Sequence, residues 1–512
     1  MVRILAAVAV LLICLSSAVA RGDEAAALSE LIDSHIQARL DAERVKRLPA
    51  ADDAELLRRA YLDLHGVVPS EERAAEFVGN ANSENRAELI QELLDSPRFG
   101  EHFADVWRKY LISPLANEQR LQTERFAAWM AVRFNNNDGW DRIVHDLLTA
   151  TGKMDENPAV TYLIEGRNPL GVTDLTDLTS RYFLGVRLNC AQCHDHPFVE
   201  WKQQDYWGMA AFFAQIQTPG RPKLVHMAGV QDDPKLTLTV LRDANMLEGF
   251  QPRPPTFLGG EAWNGESSTP HRAALSRWIT SRENPFFARA AVNRLWWHFF
   301  GRGIVNPVDD MHSGNVPSHP ELLELLSQRF AESGFDVKML CRAIMNSRTY
   351  QQTSRPGANA DKEAELFARM SVKVLTPEQL YDSLVTILGP PSKSPGINTR
   401  LGARNEFCQF FAASGDPDPI RYERGIPHVL RMMNSSQFAG RNLEALASRV
   451  TSSDSSSEER FDKLFLTILA RRPTAAEQQL ARDHVQRSAT PAEAYRQLAW
   501  TLLMSSEFSL NH

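Results

Sequence analysis

Cysteine is scarce, with five residues in a chain of 512, which excludes a small scaffold held together by disulfides. The length is too great for one ordinary core and implies two or three domains. Charge of one sign is also lacking. The net charge is −7, basic and acidic residues are interspersed, and no polybasic stripe occurs, so nucleic acid is not an expected partner. Beyond the N-terminus no run is long and apolar enough to span a bilayer, so no transmembrane span is expected in the mature chain. Gly-x-Ser-x-Gly, a phosphate loop and His-Glu-x-x-His are all absent, and the reading leans away from an enzyme.

The first twenty residues have the pattern of a targeting segment. Arg3 supplies a positive start, Ile4 to Leu15 is almost unbroken apolar sequence, and Ala18-Val19-Ala20 offers the small residues a signal peptidase needs. Residues 1–20 are therefore expected to be a signal peptide cleaved after Ala20, with an uncleaved anchor as the alternative. Cys14 would suggest lipidation, but Ile13 before it is bulkier than such processing generally takes. The expected location is exported, in the periplasm or cell envelope.

The rest is dominated by helical periodicity. Leu28, Leu31, Ile32 and Ile36 fall on one helix face. A helix from about Asp52 turns Leu56, Leu57, Tyr61 and Leu64 inward and stops at Gly66, with Pro69 beyond. Ser83–Leu94, Pro97–Tyr110, Thr123–Phe134 and Trp140–Leu148 repeat the pattern between short Pro, Gly or Asn breaks. Strand signal is confined to Leu224–Val230 and Lys235–Val240, which flank Asp232-Asp233-Pro234 as a candidate hairpin. The expected fold is mainly α. It has a helical domain over Asp23–Gln217, a Pro/Gly-rich linker with the hairpin over Thr218–Pro254, and a second helical domain over Pro255–His512.

One motif carries chemistry. Cys190-Ala191-Gln192-Cys193-His194 is a Cys-x-x-Cys-His run, which arises by chance in a chain with this Cys and His content about once in a thousand. Two thiols three residues apart can reach the two vinyl groups of one haem, and the next imidazole, His194, can then sit beneath the iron as proximal ligand. The distal ligand is unassigned, with Met209 a weak candidate because it lies in an apolar helical run. Two other readings stay open. Cys190 and Cys193 can form a local disulfide or redox pair. Alternatively Cys190, Cys193 and His196 can bind zinc with a fourth ligand from elsewhere. Farther on, Asp309, Asp310, His312 and His319 have the chemistry for a divalent cation. Ser318-His319-Pro320-Glu321 reads more simply as a helix cap, with Ser318 at the N-cap and Glu321 its partner.

The run Arg187 to Phe198, continued by Trp201 and Asp205-Tyr206, resembles the planctomycete-type exported cytochrome-like domain. Tyr61-Leu62-Asp63-Leu64-His65-Gly66-Val67-Val68-Pro69 is similar to that family's N-terminal signature. Asn284–Arg289, Asn293–Trp296, Phe300–Gly303, Asp309-Asp310, Pro317–Leu323, Leu375–Leu380, Met433–Ser435 and Ser505–His512 resemble its usual C-terminal companion of unknown function. The resemblance covers nearly the whole mature chain. It implies a two-domain exported protein, while haem c as cofactor and redox or cell-envelope protein partners are what the Cys-x-x-Cys-His run leads one to expect. It implies no reaction.

Overall fold

The computed structural model describes residues 24–80, 82–112, 123–165, 171–218, 229–237, 253–265, 269–389, 400–411, 419–420, 441–452 and 455–512. The expected signal peptide and Met433–Ser435 lie outside them. The architecture is mainly helical, with only small antiparallel sheets. The chain forms two compact units, each discontinuous in sequence. Unit 1 contains Met1–Arg39 and Phe99–Ile344, and unit 2 contains Leu40–Arg98 and Met345–His512. The division expected at Thr218–Pro254 therefore falls inside unit 1.

Local chemistry sets the helix boundaries. In unit 2 the Asp53–Leu64 helix starts where the Asp52 side chain accepts from the Glu55 amide, which satisfies one of the free donors of the first turn. It ends before Gly66, whose φ of 66° suits a residue without Cβ. Thr376 with Gln379, Ser456 with Glu459 and Thr474 with Glu477 form reciprocal capping boxes on three further helices. The Ser456 box closes the polar stretch that precedes Ser457–Leu469. The core of unit 2 gathers Leu62 and Val68 with Leu384, Phe461, Leu464 and Phe508. β4 (Lys373–Val374) pairs antiparallel with β5 (Leu510–Asn511).

Unit 1 is centred on aromatic packing. The rings of Trp107 and Trp140 are 4.0 Å apart, and Phe134 stacks on Trp140. The Val172–Phe183 helix packs on both the Gln203–Ala210 and Phe287–Phe300 helices. Buried Asn293 donates to the Val305 and Val308 carbonyls and accepts from the Val305 amide, so it stitches down the loop that leads to Asp309.

The candidate hairpin is corrected. β3 (Gly229–Asp232) lies between β1 (Gly152–Lys153) and β2 (Ile216–Gln217), antiparallel to both. Asp233-Pro234 does make a turn, in which Asp233 Oδ1 accepts from the Lys235 amide and the Asp233 carbonyl from Leu236. The following residues 236–237 are irregular; 224–228 and 238–240 lie outside the described residues. Buried Arg272 fixes β3. It pairs with Asp232 at 2.7 Å and donates to the Leu148 and Ala150 carbonyls at the end of the Trp140–Thr149 helix. Such end carbonyls lack partners within their own helix.

Candidate functional site

Gly185, with φ of 70°, turns the chain out of the Val172–Phe183 helix. Its absent Cβ matters, because one placed there would meet the Met311 sulfur at 3.1 Å and the Ala290 Cβ at 3.2 Å. The chain then enters a 3-10 turn, Asn189–Gln192. Ala191 is the buried residue of that turn, and its amide donates to the Leu188 carbonyl. Residues three apart lie nearly eclipsed in this geometry, so an inward Ala191 leaves the flanking Cys190 and Cys193 together on the outside. Both cysteines are exposed and unbonded.

His194 is exposed as well. Its Nδ1 lies 2.8 Å from the Asp195 carbonyl. A carbonyl only accepts, so Nδ1 carries the proton and the lone pair of the neutral ring falls on Nε2. That is the arrangement found in imidazoles that bind a metal through Nε2. His196 has a different task. Its Nδ1 accepts from the Phe198 amide and its own amide donates to the Trp201 carbonyl, so it shapes the turn before and after Pro197.

The loop after the motif is fastened to the start of the Gln203–Ala210 helix. Asp195 Oδ1 accepts from the Gln203 amide, and Gln203 Nε2 donates to the Cys193 carbonyl, both at 2.9 Å. Trp207 Nε1 donates to the Gln192 carbonyl. Tyr206 is buried, and burial first, then Asp177 and Asp174, push its hydroxyl pKa up, with a further contribution from Cys193. Burial, reinforced by Asp174, pushes the Asp177 carboxyl up to about 7.

Of the side chains that could wall a porphyrin, Phe198 is 89% exposed. Trp201 is buried, and Phe212 stacks on Phe257 in the core. Met209 is fully buried within the Gln203–Ala210 helix, where its thioether fills core space. Among the described residues no group of three His, Cys, Asp or Glu side chains is arranged to hold a metal ion.

Asp309 is fully buried and engages three guanidiniums. Arg181 contacts Oδ2, Arg187 reaches Oδ1 through Nε at 2.9 Å and Nη2 at 2.5 Å, and Arg294 lies 3.9 Å away. Burial alone would raise its pKa, but Arg181, Arg294 and Arg187 outweigh burial and hold the carboxyl below the usual range. Arg294 also stacks over the rings of Tyr110 and Tyr182. The carboxyl considered for a cation is thus committed to arginine. The cap expected at Ser318 is also displaced by one residue. The Ser318 hydroxyl donates to the Ile304 carbonyl, and His319 occupies the N-cap of Pro320–Glu332 without a side-chain bond to it. His319 is buried, and burial first, then Arg39 and His35, lower its pKa to about 4.

Two segments of the chain are similar to known families. Residues 31–218 match the family PSCyt2, described as a protein of unknown function (DUF1549). Residues 271–426 match PSD1, also described as a protein of unknown function (DUF1553). The two matched segments follow one another along the chain, and both carry descriptions of unknown function. No curated protein and no solved structure matches it. The Cys190–His194 turn lies in the PSCyt2 segment, and Asp309 lies in the PSD1 segment. Arg187 and Asp309 are 122 residues apart, so their pairing leaves no local signal in the sequence. Among the described residues no helix is long and apolar enough to cross a membrane.

Proposed function

We propose that this PSCyt2–PSD1 chain is an exported cell-envelope protein that holds haem c at Cys190, Cys193 and His194 and serves electron transfer or redox-linked docking. The observation that carries the reading is the turn itself. Two exposed, unbonded thiols sit at positions i and i+3, beside an imidazole whose Nδ1 is tied to a carbonyl and whose Nε2 is open. These residues fit the group: the thiols suit thioether formation, and Nε2 of His194 suits an iron ligand. When bound, the haem supplies one-electron redox chemistry. The chain's own part is to hold the turn at the surface through Gln203, Trp207 and Asp195, where a partner can approach. The N-terminal pattern at Arg3, Ile4–Leu15 and Ala18–Ala20 supports export, which haem c attachment requires.

The test is to produce the full chain in a host competent for haem c attachment. The polypeptide is then denatured and separated, and its visible spectrum is recorded. Colour that stays with the denatured chain, and falls in Cys190→Ser and Cys193→Ser, is the expected result. A colourless chain with a Cys190–Cys193 disulfide, or with stoichiometric zinc by mass spectrometry, would replace this reading with that of a non-enzymatic interaction protein whose cysteines staple a loop.

A further inference from the structure

We infer that the Asp309–Ser313 loop of the PSD1 segment is a clamp that sets the geometry of the Cys190–His194 turn, with Asp309 as its principal positioning residue. This deepens the reading above, since it concerns the same turn. Three contacts carry it, all within unit 1. Upstream of the motif, Asp309 takes Arg187 through two nitrogens, three residues before Cys190. Beside it, the Met311 amide donates to the Gly185 carbonyl at 2.9 Å. Downstream, Glu200 accepts from the Ser313 amide at 3.3 Å and the Ser313 hydroxyl at 3.1 Å. Five consecutive residues of one family segment therefore hold both ends of the turn contributed by the other.

The two arms differ in strength. The Asp309 arm is buried on the carboxylate side and charge-assisted, with Arg181 and Arg294 fixing the carboxylate that in turn fixes Arg187. Such bonds are stronger than neutral ones and weakly screened. The Glu200–Ser313 arm is exposed and holds the loop more loosely. Asn293, through Val305 and Val308, braces the strand of chain that presents Asp309. The clamp keeps Cys190 and Cys193 side by side and unbonded; loosened, the turn gains freedom to close a disulfide.

The test uses the full chain made without haem attachment, so that both thiols are free, and equilibrates it with glutathione. Oxidised glutathione takes two electrons from the two thiols, giving the Cys190–Cys193 disulfide and two reduced glutathiones. In Asp309→Asn the equilibrium constant for this oxidation should rise by about threefold or more, a coupling typical of side chains in one network. Glu200→Gln, which leaves the buried cluster intact, should shift it in the same direction by less. Ile143→Val, which only trims the core of unit 1, lowers stability and should leave the constant unchanged. Equal constants for parent, Asp309→Asn and Glu200→Gln, including a pair that stays reduced in all three, would overturn the clamp. Should Asp309→Asn fail to fold, Glu200→Gln alone decides. Because no haem is involved, the outcome is independent of whether haem attaches.

Discussion

Tyr61–Pro69 and Arg187–Phe198 lie in the same PSCyt2-matching segment, and each carries polar side chains. In the first, Asp63 is buried, and its carboxylate accepts from Lys373 at 2.6 Å, Asn511 at 2.7 Å and Tyr350 at 3.0 Å. Neighbouring Arg59 is also buried and donates to Glu55 and to the carbonyls of Tyr350 and Gln352. In the second stretch Cys190, Cys193 and His194 face solvent, with hydrogen-bonding capacity left over. Buried polar groups must be satisfied or they destabilise the fold, so the first stretch is committed to architecture. Exposed groups held in a fixed turn are free for chemistry. A signature in sequence thus says that residues matter, and burial says for what.

The comparison breaks most sharply at Asp63. Asp63→Ala removes the carboxylate that faces the buried Lys373 ammonium and should cost about 3–5 kcal/mol in denaturant unfolding. A loss below 1 kcal/mol would mean the network is not the anchor described. Next in size is acid. His65 is buried with Nε2 against the Leu93 carbonyl, and burial first, then Arg98, lowers its pKa from 6.5 to about 4. Its contribution is whole above pH 6.5 and drains as pH falls towards 4, to a limit of about 3 kcal/mol. A urea series across that window should show the slope in the parent and a flatter line in His65→Gln.

Smaller effects belong to the exposed turn. Gln203→Ala removes the bond to the Cys193 carbonyl and should cost about 1 kcal/mol or less, read as a slightly lower melting temperature. Smallest of all, Cys193→Ser should change the stability of the haem-free chain by no more than about 0.5 kcal/mol while lowering haem attachment. A large loss of stability in that variant would turn the exposed stretch into a second architectural one and erase the contrast.

Much of the helical layout was legible, because caps and stops are local. Asp52 before Asp53–Leu64 and the Thr376/Gln379 box announce themselves within four residues. Ser318 shows the limit: its sequence fits a cap, yet a carbonyl fourteen residues earlier claims its hydroxyl. The exposed Cys190, Cys193 and His194 are equally local, since they fall within five consecutive residues. What holds the turn is not. Arg187–Asp309 and Glu200–Ser313 join residues more than a hundred positions apart, and no periodicity encodes such a pairing. The strand partners of Gly229–Asp232 escaped for the same reason. Alternation marks a strand but does not name its neighbour.

The discontinuity of unit 2 also bears on how the chain is made. The Asp53–Leu64 helix emerges early in synthesis, yet the carbonyls that receive Arg58 belong to Ile468, Glu507, Phe508 and Leu510. Until those late residues arrive, the Arg58 guanidinium destined for burial lacks the carbonyls that receive it. Contacts this distant in sequence form slowly, so unit 2 closes late. The final turn of backbone therefore acts as a latch on a step begun more than four hundred residues earlier, and a polypeptide cut short by a few residues there would be left with the Asp53–Leu64 helix unmatched.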